Sequence, residues 1–153
     1  MTEARKDGSC PFCLIATGEE PAHVVYEDGT SLAFLDRRPL FPGHCLLVPK
    51  EHYATLADLP EESVGPLFRA AKLLALAVEE AMEAEGTFVA VNNRVSQSVP
   101  HLHVHVVPRR RGDGLRGFFW PRQSYRDEAH LASVQAAIRA AVERHLREDR
   151  RPS

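Results

Sequence analysis

Residues 97–107 read Gln-Ser-Val-Pro-His-Leu-His-Val-His-Val-Val. His101, His103 and His105 recur at every second position, with Leu102, Val104 and Val106 between them. A strand sends alternate side chains to opposite faces. One face would then carry three imidazoles about 6.6 Å apart, at about 3.3 Å of rise per residue, and the other face would be apolar. The β-branched valines favour a strand over a helix. Imidazole has an ordinary pKa of about 6.5, so at neutral pH it is mostly an uncharged nucleophile or base. Packing three together couples their titrations, because each proton taken up disfavours the next. Strict alternation in mid-chain points to chemistry rather than to chance histidines on a wet face.

A second group of reactive residues lies near the N-terminus. Cys10-Pro11-Phe12-Cys13 supplies two of the four ligands that a structural zinc needs. No second Cys-x-x-Cys pair exists, and Cys45 sits in an apolar run as a small core residue. Any further ligands must be histidines. The alternative is a redox dithiol, but no thioredoxin-like βαβ pattern surrounds the pair.

The elements that must position these groups are legible in outline. His23 to Glu27 and Thr30 to Leu35 read as strands joined by an Asp28-Gly29 turn. His44 to Val48 reads as a third strand, stopped by Pro49. Over residues 61–84, Val64, Leu67, Phe68, Ala71, Leu74, Ala75 and Val78 step by three and four, which predicts a helix ended by Gly86. Gly65-Pro66 marks either a kink or a later start. Thr87 to Val91 and His101 to Val107 read as the fourth and fifth strands, and Pro108 ends the fifth. Residues 127–147 read as a last helix capped by Asp127, with Leu131, Val134, Ile138 and Val142 facing inward. The expected fold class is α+β: a five-stranded antiparallel sheet, one long helix between strands 3 and 4, and a C-terminal helix. One domain is expected over residues 1–153, with a core at about 9–111 and a C-terminal loop and helix at 112–148.

Composition narrows the setting. The chain has 153 residues, 44% hydrophobic and 26% charged, as in ordinary globular proteins. A net charge of −2 gives no electrostatic case for binding nucleic acid. Arg109, Arg110, Arg111, Arg116 and Arg122 nevertheless cluster after the histidines, either as a positive rim that draws in phosphates or as a solvated loop. No apolar stretch is long enough to cross a bilayer, and no signal peptide is visible. Three cysteines cannot form a complete disulfide framework, so a reducing cytoplasm is the expected location.

His101-Leu102-His103-Val104-His105-Val106-Val107 resembles the signature of the histidine-triad (HIT) superfamily, in which three histidines alternate with apolar residues. Ala33-Phe34-Leu35-Asp36, Pro42-Gly43-His44, Val48-Pro49-Lys50-Glu51-His52 and Gln97-Ser98-Val99 match other family segments in the same order. The resemblance implies a homodimer whose two sheets join edge to edge. It implies that His103 attacks the α-phosphorus of a nucleotide, forming a nucleotidyl-histidine that water hydrolyses. His103 must then present one bare ring nitrogen while the other donates to a fixed acceptor.

Further roles follow from the same resemblance. His105 and His44 stand beside the phosphate, and Gln97 and Ser98 donate near the scissile bond, Ser98 at the leaving group. Asp36 matches the ribose-binding carboxylate and can accept both ribose hydroxyls. Asn92 matches a phosphate-contacting amide, although Asn93 is hard to separate from it. Ser96 stands where the family usually has glycine. A zinc-bearing branch of the family implies Cys10, Cys13, His52 and His101 as structural ligands. Neither a glycine-rich phosphate loop nor a carboxylate cluster for magnesium is present, so magnesium is not expected to be essential.

The implied substrate is a purine nucleotide or nucleotide conjugate, cleaved at a phosphoramide or phosphoanhydride bond by hydrolysis or nucleotidyl transfer. The alternatives are a dinucleoside polyphosphate hydrolase, which Pro108-Arg109 through Gly112-Asp113 resembles, and a nucleotide-binding sensor with vestigial hydrolysis. Phe118, Phe119 and Trp120 would line a base pocket or anchor the last helix.

Overall fold

A computed structural model describes residues 10–116 and 121–150 of the chain. Gly117, Phe118, Phe119 and Trp120 lie outside the described residues, so neither reading of the aromatic run meets a structural observation. The chain divides into two compact units, Met1–Asp113 and Gly114–Ser153.

The first unit holds a five-stranded, fully antiparallel sheet. Its strands are β1 (Val24–Glu27), β2 (Ser31–Leu35), β3 (Cys45–Pro49), β4 (Gly86–Val91) and β5 (Val104–Arg109), in the order β1-β2-β3-β5-β4. The long helix α2 (Glu61–Ala81) joins β3 to β4, and a short helix α1 (Pro11–Thr17) precedes the sheet. Asp28 builds the β1–β2 turn by accepting the N–H groups of Thr30 and Ser31 at 2.8 and 2.7 Å.

β3 is buried along its whole length because the sheet is covered on both faces. Cys45 and Leu47 join Val104 and Val106 under the α2 stripe of Leu67, Ala70, Ala71, Leu74 and Val78. Leu46 and Val48 point the other way, into a smaller cluster with Leu32, Phe34, Cys10 and Phe12. His105 pairs with Leu46, so the catalytic candidates share the α1 face rather than the α2 face.

Several boundaries differ from the sequence reading, each for a local reason. β5 starts at Val104 rather than His101. The residues before it bond to the loop after β3 instead of to a ladder: the Leu102 N–H donates to the Tyr53 carbonyl at 2.6 Å. β3 ends at Pro49, which belongs to the strand as its last residue, whereas Pro108 lies inside β5, which runs on to Arg109. The β3–β5 ladder reaches only from Cys45–Val106 to Leu47–Val104, so each proline's missing N–H meets an unpaired side. α2 begins at Glu61 with Pro66 inside it, which rules out the later start. It ends at Ala81 rather than Gly86, because Glu83 takes a left-handed φ of +49°. Gly86 opens β4 instead.

α1 is absent from the sequence reading. Its signals were present: Cys10 caps it, Pro11 occupies the first turn, and Gly18 closes it at φ +79°.

The second unit contains α3 (Glu128–Asp149), capped by Asp127, which accepts the His130 N–H at 2.7 Å. The expected inward stripe is not buried. Leu131, Ile138 and Val142 are exposed, Val134 is half-buried, and no α3 residue is buried. A lone helix offers its own stripe no second layer to bury against. Among the described residues no helix is long and apolar enough to cross a membrane.

Candidate active site

The hydrogen bond that orients His103 comes from its neighbour's backbone. Its Nδ1 lies 2.7 Å from the His101 carbonyl oxygen and must donate to it, since a carbonyl only accepts. The proton is thereby held on Nδ1, and Nε2 keeps a bare lone pair. The His103 ring meets the His105 ring at 4.9 Å and 66°. The residue is 4% exposed, so little of it meets bulk water.

A second chain of bonds fixes His105. The Leu40 N–H donates to His44 Nδ1 at 3.1 Å, so a neutral His44 carries its proton on Nε2. That Nε2–H donates to His105 Nδ1 at 3.0 Å. A neutral His105 therefore holds its own proton on Nε2, ready to donate outward. Burial pushes the His44 pKa below its ordinary value; Asp36 opposes this and His103 adds to it. Burial likewise lowers His105 to about 4, with help from His103 and His44 and against Asp36. Both rings are thus uncharged at neutral pH, and the 3.7 Å approach of Asp36 to His44 Nε2 is not an ion pair there.

This depression predicts how stability depends on pH. Between about 6.5 and 4 the unfolded histidines bind protons that the folded ones refuse, so stability falls as pH falls through that window. Above about 6.5 both states are neutral, and this contribution is fully present. Urea midpoints measured from pH 8 to pH 4 should stay flat and then decline below about 6.5. Replacing His105 with asparagine should shrink the decline.

The donor atoms of Asp36, His44 and His105 lie within 4.8 Å of one another. The group nonetheless suits a metal poorly. The His44 proton already sits on the nitrogen that faces the other two, and moving it to Nδ1 would set it against the Leu40 N–H.

Gly43 positions this chain of bonds. Its φ is +98°, and an added Cβ would stand 2.7 Å from Met82 Cγ. Gly43→Ala is expected to cost about 1–3 kcal/mol in chemical denaturation, through forced φ and displaced Met82.

The structure separates Asn92 from Asn93. Asn93 Oδ1 accepts the Leu56 N–H at 2.9 Å and holds the 3-10 turn at Leu56–Asp58. Asn92 follows Val91, the partner of Val104, and so stands level with His103. Gln97 is partly committed to its own loop: Nε2 donates to the Ala54 carbonyl at 2.6 Å, and Oε1 accepts the Arg94 N–H at 2.8 Å. Ser98 is exposed. Ser96 keeps the left-handed backbone that a glycine would take there, at φ +60°.

Arg109, Arg110 and Arg111 are engaged within their own unit. Arg109 lies six residues beyond His103, about 20 Å along the strand. Its guanidinium grips Asp113 at 2.6 and 3.0 Å. Arg110 donates to the Met82 carbonyl, and Arg111 reaches Glu85 at 3.8 Å. These residues clasp a loop to the end of α2.

The Cys/His group forms a second cluster beside His103. Cys10 Sγ lies 3.3 Å from His101 Nδ1, and Cys13 Sγ lies 3.2 Å from His52 Nδ1 and 3.5 Å from His101 Nδ1. All four donor atoms lie within 4.8 Å of one another. A tetrahedral ion with bonds of about 2.0–2.3 Å needs its ligands about 3.3–3.8 Å apart, so the spacing fits. His101 Nε2 donates to the Pro49 carbonyl at 2.8 Å, which leaves Nδ1 bare toward the sulfurs. Burial lowers the His101 pKa to about 4, so the ring is neutral as a ligand must be.

The acceptors that set these tautomers, the backbone carbonyls of His101 and Pro49, carry no sequence signal. The HIT domain family pattern matches residues 17–112. The chain belongs to the HIT family. The match covers the sheet and α2 but begins after Cys10 and Cys13. This HIT protein is 38% identical over 124 residues to adenosine 5'-monophosphoramidase HNT1 of Saccharomyces cerevisiae, covering 78% of this chain and 75% of the relative. It is 34% identical over 140 residues to adenylylsulfatase HINT3 of Arabidopsis thaliana, covering 90% and 69%. The crystal structure of a zinc-bound histidine triad family protein from Mycobacterium smegmatis superposes with a TM-score of 0.67 at 39% identity, covering 84% of this chain and 97% of that one.

Proposed function

We propose that this HIT protein is a nucleotide hydrolase or nucleotidyl transferase acting at the α-phosphate of a nucleoside 5'-phosphoramide or phosphoanhydride. The single observation that carries the reading is the His103 Nδ1–H bond to the His101 carbonyl, which leaves Nε2 as a bare nucleophile. Nε2 attacks phosphorus, and the bond from phosphorus to the leaving nitrogen or oxygen breaks. The leaving atom takes a proton from its surroundings, with the Ser98 hydroxyl assigned beside it. Water then attacks the nucleotidyl-histidine, the P–N bond returns its electron pair to Nε2, and the nucleoside monophosphate leaves. The His105 Nε2–H donates to a phosphate oxygen throughout, held in place by His44. Asn92 donates to the same phosphate, Gln97 keeps its loop beside it, and Asp36 accepts the ribose hydroxyls.

The relatives named as a monophosphoramidase and an adenylylsulfatase support an adenylated, hence purine, substrate. We assign a structural zinc to Cys10, Cys13, His52 and His101; the zinc-bound relative and the donor spacing support it. When bound, it ties α1 to the segment bearing His103. We further read the protein as a cytoplasmic homodimer.

The test is a brief incubation with an α-labelled adenosine phosphoramidate, an acid-sparing quench and peptide mapping. Label on His103 is expected. Turnover without any labelled histidine, or label on another residue, would overturn the reading. Parallel rates on adenylyl sulfate and a dinucleoside tetraphosphate rank the leaving groups.

A further inference from the structure

Phe12 lies between the two cluster cysteines in sequence and between the cluster and the nucleophile in space. It is 8% exposed. Its ring meets His103 at 5.2 Å and 84°, His101 at 5.8 Å and 71°, and Phe34 at 5.4 Å and 65°. Among the described residues the His103 ring makes one hydrogen bond, at Nδ1. With the covalent attachment at Cγ this leaves only tilting of the ring through small coupled changes in χ1 and χ2. The Phe12 and His105 rings are its neighbours, and together they restrict that tilt.

Phe12 cannot hold this place through its own helix. α1 has seven residues, too few for independent stability. Two things anchor it: Phe12 packs with Leu32, Phe34, Leu46 and Val48, and Cys10 and Cys13 lie against His101 and His52.

We propose that Phe12 is a positioning residue for the proposed reaction: its ring packs against the His103 ring and limits its tilt, and the apolar cluster together with Cys10 and Cys13 holds Phe12 in place. The inference rests on His103 being the nucleophile, but its main readout does not need turnover. The loading of the cluster thereby reaches the nucleophile by contact, without any group of the cluster touching substrate.

The experiment uses full-length, zinc-loaded protein labelled with nitrogen-15 histidine, in parental, Phe12→Ala and Phe12→Leu forms. In the parent, the His103 Nδ1–H should give a sharp, exchange-protected proton resonance. In Phe12→Ala it should broaden or vanish while zinc stays at the parental ratio. Its kcat should fall about tenfold or more with KM within about twofold, since a 1 Å misplacement of a reacting group can cost about 100-fold. Phe12→Leu keeps the apolar volume but loses the flat edge, and carries the test if the alanine form does not fold. A sharp resonance and parental kcat in the folded variants overturn the proposal. So does a loss that accompanies departure of zinc, because Phe12 would then serve the cluster alone. Should no nucleotide turn over in any form, the nucleophile reading fails, while the resonance still decides the positioning role.

Discussion

His103→Ala is expected to lower kcat by about 10⁴-fold or more while the Kd for a nucleoside monophosphate stays within about tenfold. The two parts have separate physical origins. The variant loses the lone pair that the proposed covalent bond needs, and no second ring can replace it. His105 faces outward with an N–H, because its Nδ1 already accepts from His44. His101 directs its bare nitrogen at the cysteine sulfurs. Under the proposed reading, ground-state affinity would rest instead on Asp36, Asn92 and His105, which the substitution leaves in place. Steady-state kinetics and calorimetric titration read the two quantities separately. A variant that turns over at the parental rate would remove His103 from the chemistry. His103→Asn keeps a hydrogen-bonding side chain and should be equally inactive, which excludes mere loss of packing.

Removal of the proposed zinc should have the largest effect on stability. With free zinc at about 1,000 times its Kd, binding contributes about 4 kcal/mol. At about 2–4 °C per kcal/mol for a chain of this size, Cys13→Ala or chelation should lower Tm by about 8–16 °C. The cause is specific to the fold. Without the ion, His101 is a buried imidazole whose Nδ1 faces two thiols, and α1 keeps only its apolar packing on the sheet. Differential scanning calorimetry with and without chelator gives the shift, and metal analysis gives the stoichiometry. A parent that purifies without zinc and keeps its Tm in chelator would discard the assignment. Chelator should leave the Tm of Cys13→Ala unmoved, because no complete site remains.

The alternating histidines, the Asp28-Gly29 turn, the α2 stripe and the Cys-x-x-Cys pair were legible because each is a local pattern with a fixed period or spacing. Five strands and their antiparallel pairing followed from short connections around one long helix. The strand ends were less legible, because Pro49 and Pro108 break a strand only where their missing N–H would have met a partner. The α3 stripe was misread for a related reason. Periodicity says that a face is apolar, not that another element covers it.

The chain's order of residues by itself determined which groups are present to react: three imidazoles two residues apart, a carboxylate after β2, and two thiols three residues apart. It also determined that these fall on an α+β sheet. Only the tertiary structure decided the work of each imidazole. All three are the same side chain in the same pattern, yet one offers a bare Nε2, one an outward N–H, and one a bare Nδ1 toward sulfur. The difference lies in which ring nitrogen holds the proton. That is set by the carbonyl acceptors of His101 and Pro49 and by the Leu40 N–H, which acts on His105 through the His44 ring, and the fold alone brings these groups to the rings.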